Sequence, residues 1–197
     1  MSLLYTYKPE KDRALLSVSH LLMAAGVTPN MITAAGLLVS IVSGLFAMSG
    51  HLYVGIAIFL FGAGLDAVDG SFARACGLTS EFGRYFDSIC DRLSELAFIT
   101  GAVLGGVSLF ALIVIAGSML LLASRIYNHS RGLSSNAAMF SRPERISLLI
   151  VGLLVPYPYN TVIFILTGFL SIVSSAQVLT SSIHTRKGLE WVKSLLG

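Results

Sequence analysis

At 197 residues, with 55% hydrophobic and only 12% charged side chains and a mean hydropathy of +0.82, the chain is too apolar for a soluble globular domain. It reads as a membrane protein. The 13 basic and 10 acidic residues leave a net charge of +3, and no nucleic-acid partner is expected.

In chain order the first element is residues 12–26, where Leu15, Leu16, Val18, Leu22 and Met23 alternate with Ser17, Ser19 and His20. Lys8, Lys11 and Arg13 surround its start, so it reads as an amphipathic helix lying on anionic lipid. The run MAAG at its end imitates a signal-peptidase site, but Glu10 and Asp12 suit a leader poorly.

Six apolar stretches follow, at about 31–48, 52–75, 82–104, 109–127, 143–156 and 161–180. The fifth is short and needs Pro143 in its first turn to reach across. The expected fold is all-α: a polytopic membrane protein of six transmembrane helices preceded by the interfacial helix. So many spans leave no room for a separate soluble domain, and residues 1–197 read as one membrane domain.

Charge placement sets the topology. The links around Gly50, Gly105–Gly106 and Pro156–Asn160 hold no Lys, Arg, Asp or Glu. The N-terminus, the Arg74–Arg84 and Arg125–Arg145 links and the tail with Arg186, Lys187 and Lys193 hold nearly every basic residue. By the positive-inside rule both termini lie in the cytoplasm, with the protein in the cell membrane. Cys76 and Cys90 fall on that side, where a disulfide is disfavoured, and read as packing residues. His20, His51, His129 and His184 are scattered and make no zinc site.

The segment from Asp66 to Asp91 carries the chemistry. Asp66, Asp69, Gly70, Ala73 and Arg74 share one helix face, and Gly83, Asp87 and Asp91 share another. Gly77, Thr79 and Ser80 suit a short turn between them, so two antiparallel helices would each project two carboxylates into one cleft. Four anions in a low-dielectric setting repel strongly, and divalent cations answer that better than protonation. Oxygen ligands favour magnesium or manganese over zinc, and four carboxylates suffice for two ions. Asp66 follows about 14 apolar residues, roughly 21 Å of rise, so the cleft lies in the cytoplasmic half of the bilayer. The plainer alternative is that Arg74, Arg84 and Arg92 neutralise these acids as buried pairs. Glu95 continues the Asp87–Asp91 face, and pairing with Arg92 accounts for it without a catalytic role.

The spacing D-x2-D-G-x2-A-R-x8-G-x3-D-x3-D resembles the signature of the CDP-alcohol phosphatidyltransferase family at every fixed position. That resemblance implies transfer of a phosphatidyl-type group from a CDP-linked lipid, CDP-diacylglycerol or CDP-archaeol, to an alcohol, with release of CMP. It implies metal held by Asp66, Asp69, Asp87 and Asp91, with Asp91 also the general base. Pro29, Asn30, Met31 and Ile32 in the run TPNMIT, together with Gly70, Arg74 and Ser80, would contact the CDP-lipid. It also implies a homodimer, and Gly152, Gly168 and Ser171 would offer span faces to a second subunit.

The acceptor is read from RPER, Arg142 to Arg145, which resembles the corresponding run of phosphatidylinositol-phosphate and archaetidylinositol-phosphate synthases. Arg131, Arg142 and Arg145, with Arg186, would then bind inositol 1-phosphate. Tyr127 and Ser182 stand where further cations would be expected, so glycerol 3-phosphate, inositol or serine remain open as acceptors. A different class also remains open: intramembrane acids mark ion transporters. The outer half carries no charge, which disfavours a path through the membrane.

Overall fold

The computed structural model describes residues 23, 26–131 and 140–196, with side chains described as far as residue 180 apart from that of residue 67. The expected interfacial helix at 12–26 lies almost wholly outside the described residues. Six α-helices, one 3-10 turn and no strand occur among the described residues. They are α1 (Pro29–Met48), α2 (Leu52–Ala75), α3 (Glu81–Leu104), the 3-10 turn Leu109–Ala111, α4 (Leu112–Ser130), α5 (Arg142–Leu154) and α6 (Tyr159–Leu196).

Four stretches are long and apolar enough to cross a membrane: α1, α2, Leu109–Ser130 and Tyr159–Thr180 within α6. The other two expected spans are not candidates by length and apolarity, for separate reasons. α3 carries Glu81, Arg84, Asp87, Asp91, Arg92 and Glu95 along its length. α5 has only 13 residues, which rise about 20 Å. The last helix also continues past the apolar stretch, to Leu196.

The chain divides into two compact units, Met1–Gly106 and Val107–Gly197. In the first, α1 is the spine: it packs along both α2 and α3, which touch each other far less. Glycine makes that packing close. A Cβ on Gly44 would come within 2.5 Å of the Ala97 carbonyl oxygen, and one on Gly101 would meet the Gly44 backbone. Small residues let helix backbones approach where lipid offers no hydrophobic drive to association. Phe59 of α2 stacks on Phe98 of α3 with ring centroids 4.4 Å apart.

The turn between α2 and α3 is built by local hydrogen bonds. Gly77 takes φ +66°, the Leu78 N–H donates to the Ala73 carbonyl at 2.8 Å, and Gly77 N–H to Arg74 at 3.4 Å. This is a Schellman stop, which needs a left-handed residue at Gly77. Ser80 then caps α3 by accepting from the Gly83 N–H at 2.9 Å.

In the second unit α4 and α5 both pack on α6. Ser124 and Ser175 hydroxyls meet at 2.5 Å, and the Asn128 side-chain amide donates to the Val178 carbonyl at 2.9 Å. Before α5, the Phe140 N–H donates to Ser174 Oγ at 3.0 Å, and Glu144 accepts from the Ser141 N–H at 3.0 Å, a reciprocal cap. Gly152 faces Phe164, Gly168 faces Ile113, and Ser171 faces Gly117. The small residues that the sequence offered to a second subunit are therefore used inside this unit.

The α1–α3 crossing makes a direct prediction. Gly101→Ala should destabilise by about 1–3 kcal/mol, because the contact is backbone and cannot swing aside. Gly64, which has open space around its Cβ position, should accept alanine at no loss. Thermal unfolding in one detergent checks both; equal midpoints for the two variants would contradict the packing.

Candidate functional site

Two helix caps set the depth of the acidic residues. Asp69 lies seven residues before the α2 cap at Cys76, and Asp87 lies seven after the α3 cap at Ser80. At 1.5 Å per residue both stand about 10 Å from the connecting turn. Asp66 is one turn deeper on the same face of α2 as Asp69. One carboxylate oxygen from each of Asp66, Asp69 and Asp87 lies within 4.8 Å of the others. Asp69 is 3% exposed, and Asp66 and Asp87 are half-buried.

Asp91 is not among the three whose oxygens lie within 4.8 Å of one another. It is 8% exposed, one turn beyond Asp87, and its Oδ2 lies 3.7 Å from Arg92. The same Arg92 nitrogen is 3.8 Å from Glu95. Asp91, Arg92 and Glu95 thus form a buried charged row, and the Arg92–Glu95 pairing read from sequence is present. Arg84, by contrast, pairs at the exposed start of α3 with Glu81, at 3.7 Å.

Around the trio, Gly70 is open except for the Arg74 guanidinium, whose Nη1 would lie 3.4 Å from an added Cβ. Arg74 also donates to Ser71 Oγ at 3.0 Å and is exposed. Asn30 reaches the first turn of α3, its Oδ1 3.3 Å from the Cβ position of Gly83, beside the Ser80 cap. Ser80 is exposed, Pro29 and Ile32 are half-buried, and Met31 is exposed. Cys76 and Cys90 are free thiols.

The second unit gathers cations. Arg145 on α5 is 1% exposed, the largest side chain so buried among the described residues, and Arg125 on α4 lies near it. Arg142 is half-buried at the first position of α5. Arg131 is different: it is exposed, and its guanidinium sits 5.2 Å over the Tyr127 ring. The sequence reading missed Arg125. Its signal was present, since an arginine inside the apolar run LLLASRIYN is costly unless it serves something. The side chains of Ser182 and Arg186 lie outside those described.

A family model for CDP-alcohol phosphatidyltransferase matches residues 26–185. The chain belongs to this family. It is 32% identical over 148 residues to the archaetidylinositol phosphate synthase of Pyrococcus horikoshii, spanning 73% of this chain and 78% of that one. It is 31% identical over 176 residues to the phosphatidylinositol phosphate synthase of Mycobacteroides abscessus, spanning 79% and 77%. The solved phosphatidylinositol phosphate synthase of Mycobacterium tuberculosis with CDP-DAG bound is similar at a TM-score of 0.70 and 25% identity, covering 88% of this chain and 93% of that one. The same synthase in complex with manganese and citrate gives a TM-score of 0.68 at 25% identity, covering 86% and 87%.

As a CDP-alcohol phosphatidyltransferase this chain is a membrane enzyme, and its acidic trio fits a magnesium or manganese ion. Opposed ligands at 2.0–2.1 Å from one magnesium ion are about 4.2 Å apart, close to the spread seen here. All three donors are hard carboxylate oxygens, the set that magnesium and manganese prefer.

The buried row generates the prediction for this site. Arg92→Met leaves Asp91 and Glu95 facing each other in the interior, whereas Glu95→Leu leaves Arg92 still paired with Asp91. Breaking a buried pair costs about 3–5 kcal/mol, so the arginine variant should be the less stable by several degrees. Thermal unfolding checks the order; a Glu95→Leu midpoint below that of Arg92→Met would contradict it.

Proposed function

We propose that this chain transfers a phosphatidyl-type group from a CDP-linked lipid to inositol 1-phosphate and releases CMP. The acidic trio of Asp66, Asp69 and Asp87 carries the reading. Two similar proteins are synthases of inositol-phosphate lipids, one archaetidyl and one phosphatidyl, and either CDP-archaeol or CDP-diacylglycerol suits the apolar helices as donor.

In this reading Pro29, Asn30, Met31 and Ile32 meet the cytidine with Gly70 and Ser80, and Arg74 donates to a phosphate oxygen over the bare Cα of Gly70. Magnesium or manganese, as a pair of ions held by Asp66, Asp69, Asp87 and Asp91, supplies charge neutralisation at the pyrophosphate. Asp91 accepts the proton of the acceptor hydroxyl while that oxygen bonds to the lipid-side phosphorus. The bond from this phosphorus to the bridging oxygen breaks, and CMP leaves with that oxygen. Positioning and charge stabilisation suffice for such a transfer, so no covalent nucleophile is needed.

The acceptor's phosphate is assigned to Arg125, Arg142 and Arg145, with Arg131 at the exposed end of α4. Arg125 and Arg145 repel each other, and a dianion removes that repulsion while taking charge-assisted hydrogen bonds. We further read the six helices as six spans of one catalytic domain, residues 1–197, in the cell membrane. Both termini and the acidic trio face the cytoplasm, where nucleotide and inositol phosphate are found. From the family resemblance we also read the chain as a homodimer with one complete site in each protomer.

Purified protein supplied with CDP-lipid, magnesium and a panel of alcohols tests this function. Inositol 1-phosphate should drive CMP release, and chelator should abolish it. Arg145→Gln should raise the KM for inositol 1-phosphate about tenfold or more, the equivalent of one charge-assisted hydrogen bond, and spare the KM for CDP-lipid. Release driven by glycerol 3-phosphate, inositol or serine instead would overturn the acceptor. No release with any alcohol would return the transporter reading.

A further inference from the structure

The acidic trio belongs to α2 and α3, yet a side chain that bonds one of its carboxylates comes from α1. The Thr33 hydroxyl of α1 donates to Asp69 Oδ2 across the helix interface, and both residues are 3% exposed. That hydroxyl also lies 3.2 Å from the Pro29 carbonyl of its own helix. A hydroxyl has one proton to give, and a buried carboxylate outcompetes a helix carbonyl for it. Holding one oxygen of Asp69 fixes the plane of the carboxylate and hence where its second oxygen stands.

One turn along the same face, Gly36 does the converse. A Cβ there would lie 3.0 Å from Asp66 Oδ1, and Gly36 itself is buried. Glycine inside a helix costs about 1 kcal/mol relative to alanine, so this position gives up helix stability and leaves room for the Asp66 carboxylate. Thr33 and Gly36 thus set both α2 carboxylates, one by a bond and one by clearance. The turn that begins at Pro29 is continuous with them.

We infer that Thr33 and Gly36 are positioning residues of the metal site: α1 fixes the two α2 carboxylates in the arrangement that binds a divalent cation. This rests on the reading of Asp66, Asp69 and Asp87 as metal holders. Groups that orient metal ligands contribute about 10–100-fold to affinity when removed one at a time. Threonine and valine have nearly the same shape, so Thr33→Val deletes the donor and keeps the packing. Thr33→Ser keeps the donor.

The experiment is a Mn2+ titration of the full chain in detergent, without nucleotide, read by the electron paramagnetic resonance of free Mn2+. Wild type should bind. Thr33→Val should weaken binding about 10-fold or more, Thr33→Ser should stay within about threefold of wild type, and Gly36→Ala should weaken binding at least about 10-fold. Gly36→Ala is the safeguard should Thr33→Val fail to fold, since alanine raises helix propensity and size-exclusion chromatography reports its fold. Wild type that binds no Mn2+ would remove the underlying metal reading. Wild type that binds while both variants match it, or a serine variant as weak as the valine one, would overturn the positioning role.

Discussion

Three carboxylates gathered inside an apolar helical unit are the constraint around which the first half of this protein is arranged. Two unit charges 4.8 Å apart repel by roughly 3.5 kcal/mol at an effective dielectric of 20, and three such pairs come to about 10 kcal/mol. That sum is comparable with the entire folding stability of an ordinary domain. The fully ionised trio therefore calls for a counter-charge, and the buried arginine of this unit, Arg92, pairs elsewhere. Arg92 answers Asp91 and Glu95, one turn farther along α3. A divalent cation would offset that repulsion at the trio itself.

The backbone devices serve the same end. A Schellman stop and a serine cap, each seven residues from an aspartate, bring Asp69 and Asp87 to one level on antiparallel helices. α1 lies along both helices through glycine contacts too tight for any side chain, so the two halves of the trio are referred to one rigid strut. In the second unit the buried cation is Arg145 on α5, with Arg125 of α4 near it.

Much of this was legible in the sequence because the motif is a set of helical offsets. Asp66 to Arg74 and Gly83 to Asp91 each spell one face, and the gap between them spells the stop, turn and cap. The helices at 31–48 and 52–75 were equally legible from their apolar runs. Thr33 was not, because a threonine in the first turns of a helix has several ordinary uses, and its bond to Asp69 spans 36 residues of chain. Arg125 was counted with the cytoplasmic flanking charges, although it stands inside the apolar run LLLASRIYN, where an arginine is costly. Gly152, Gly168 and Ser171 were misassigned because small residues pack helices within one chain as readily as between chains.

The most direct test of the account is thermal unfolding of wild type and Asp87→Asn with excess magnesium or with chelator. Removing one charge from the trio relieves repulsion but forfeits a metal ligand, so the sign of its effect should depend on the ion. In chelator the variant should unfold at the higher temperature; in magnesium the order should reverse, because binding to the folded state stabilises wild type alone to the full extent. Wild type more stable in both conditions, or no response of wild type to magnesium, would contradict the claim that this cluster exists to hold a cation.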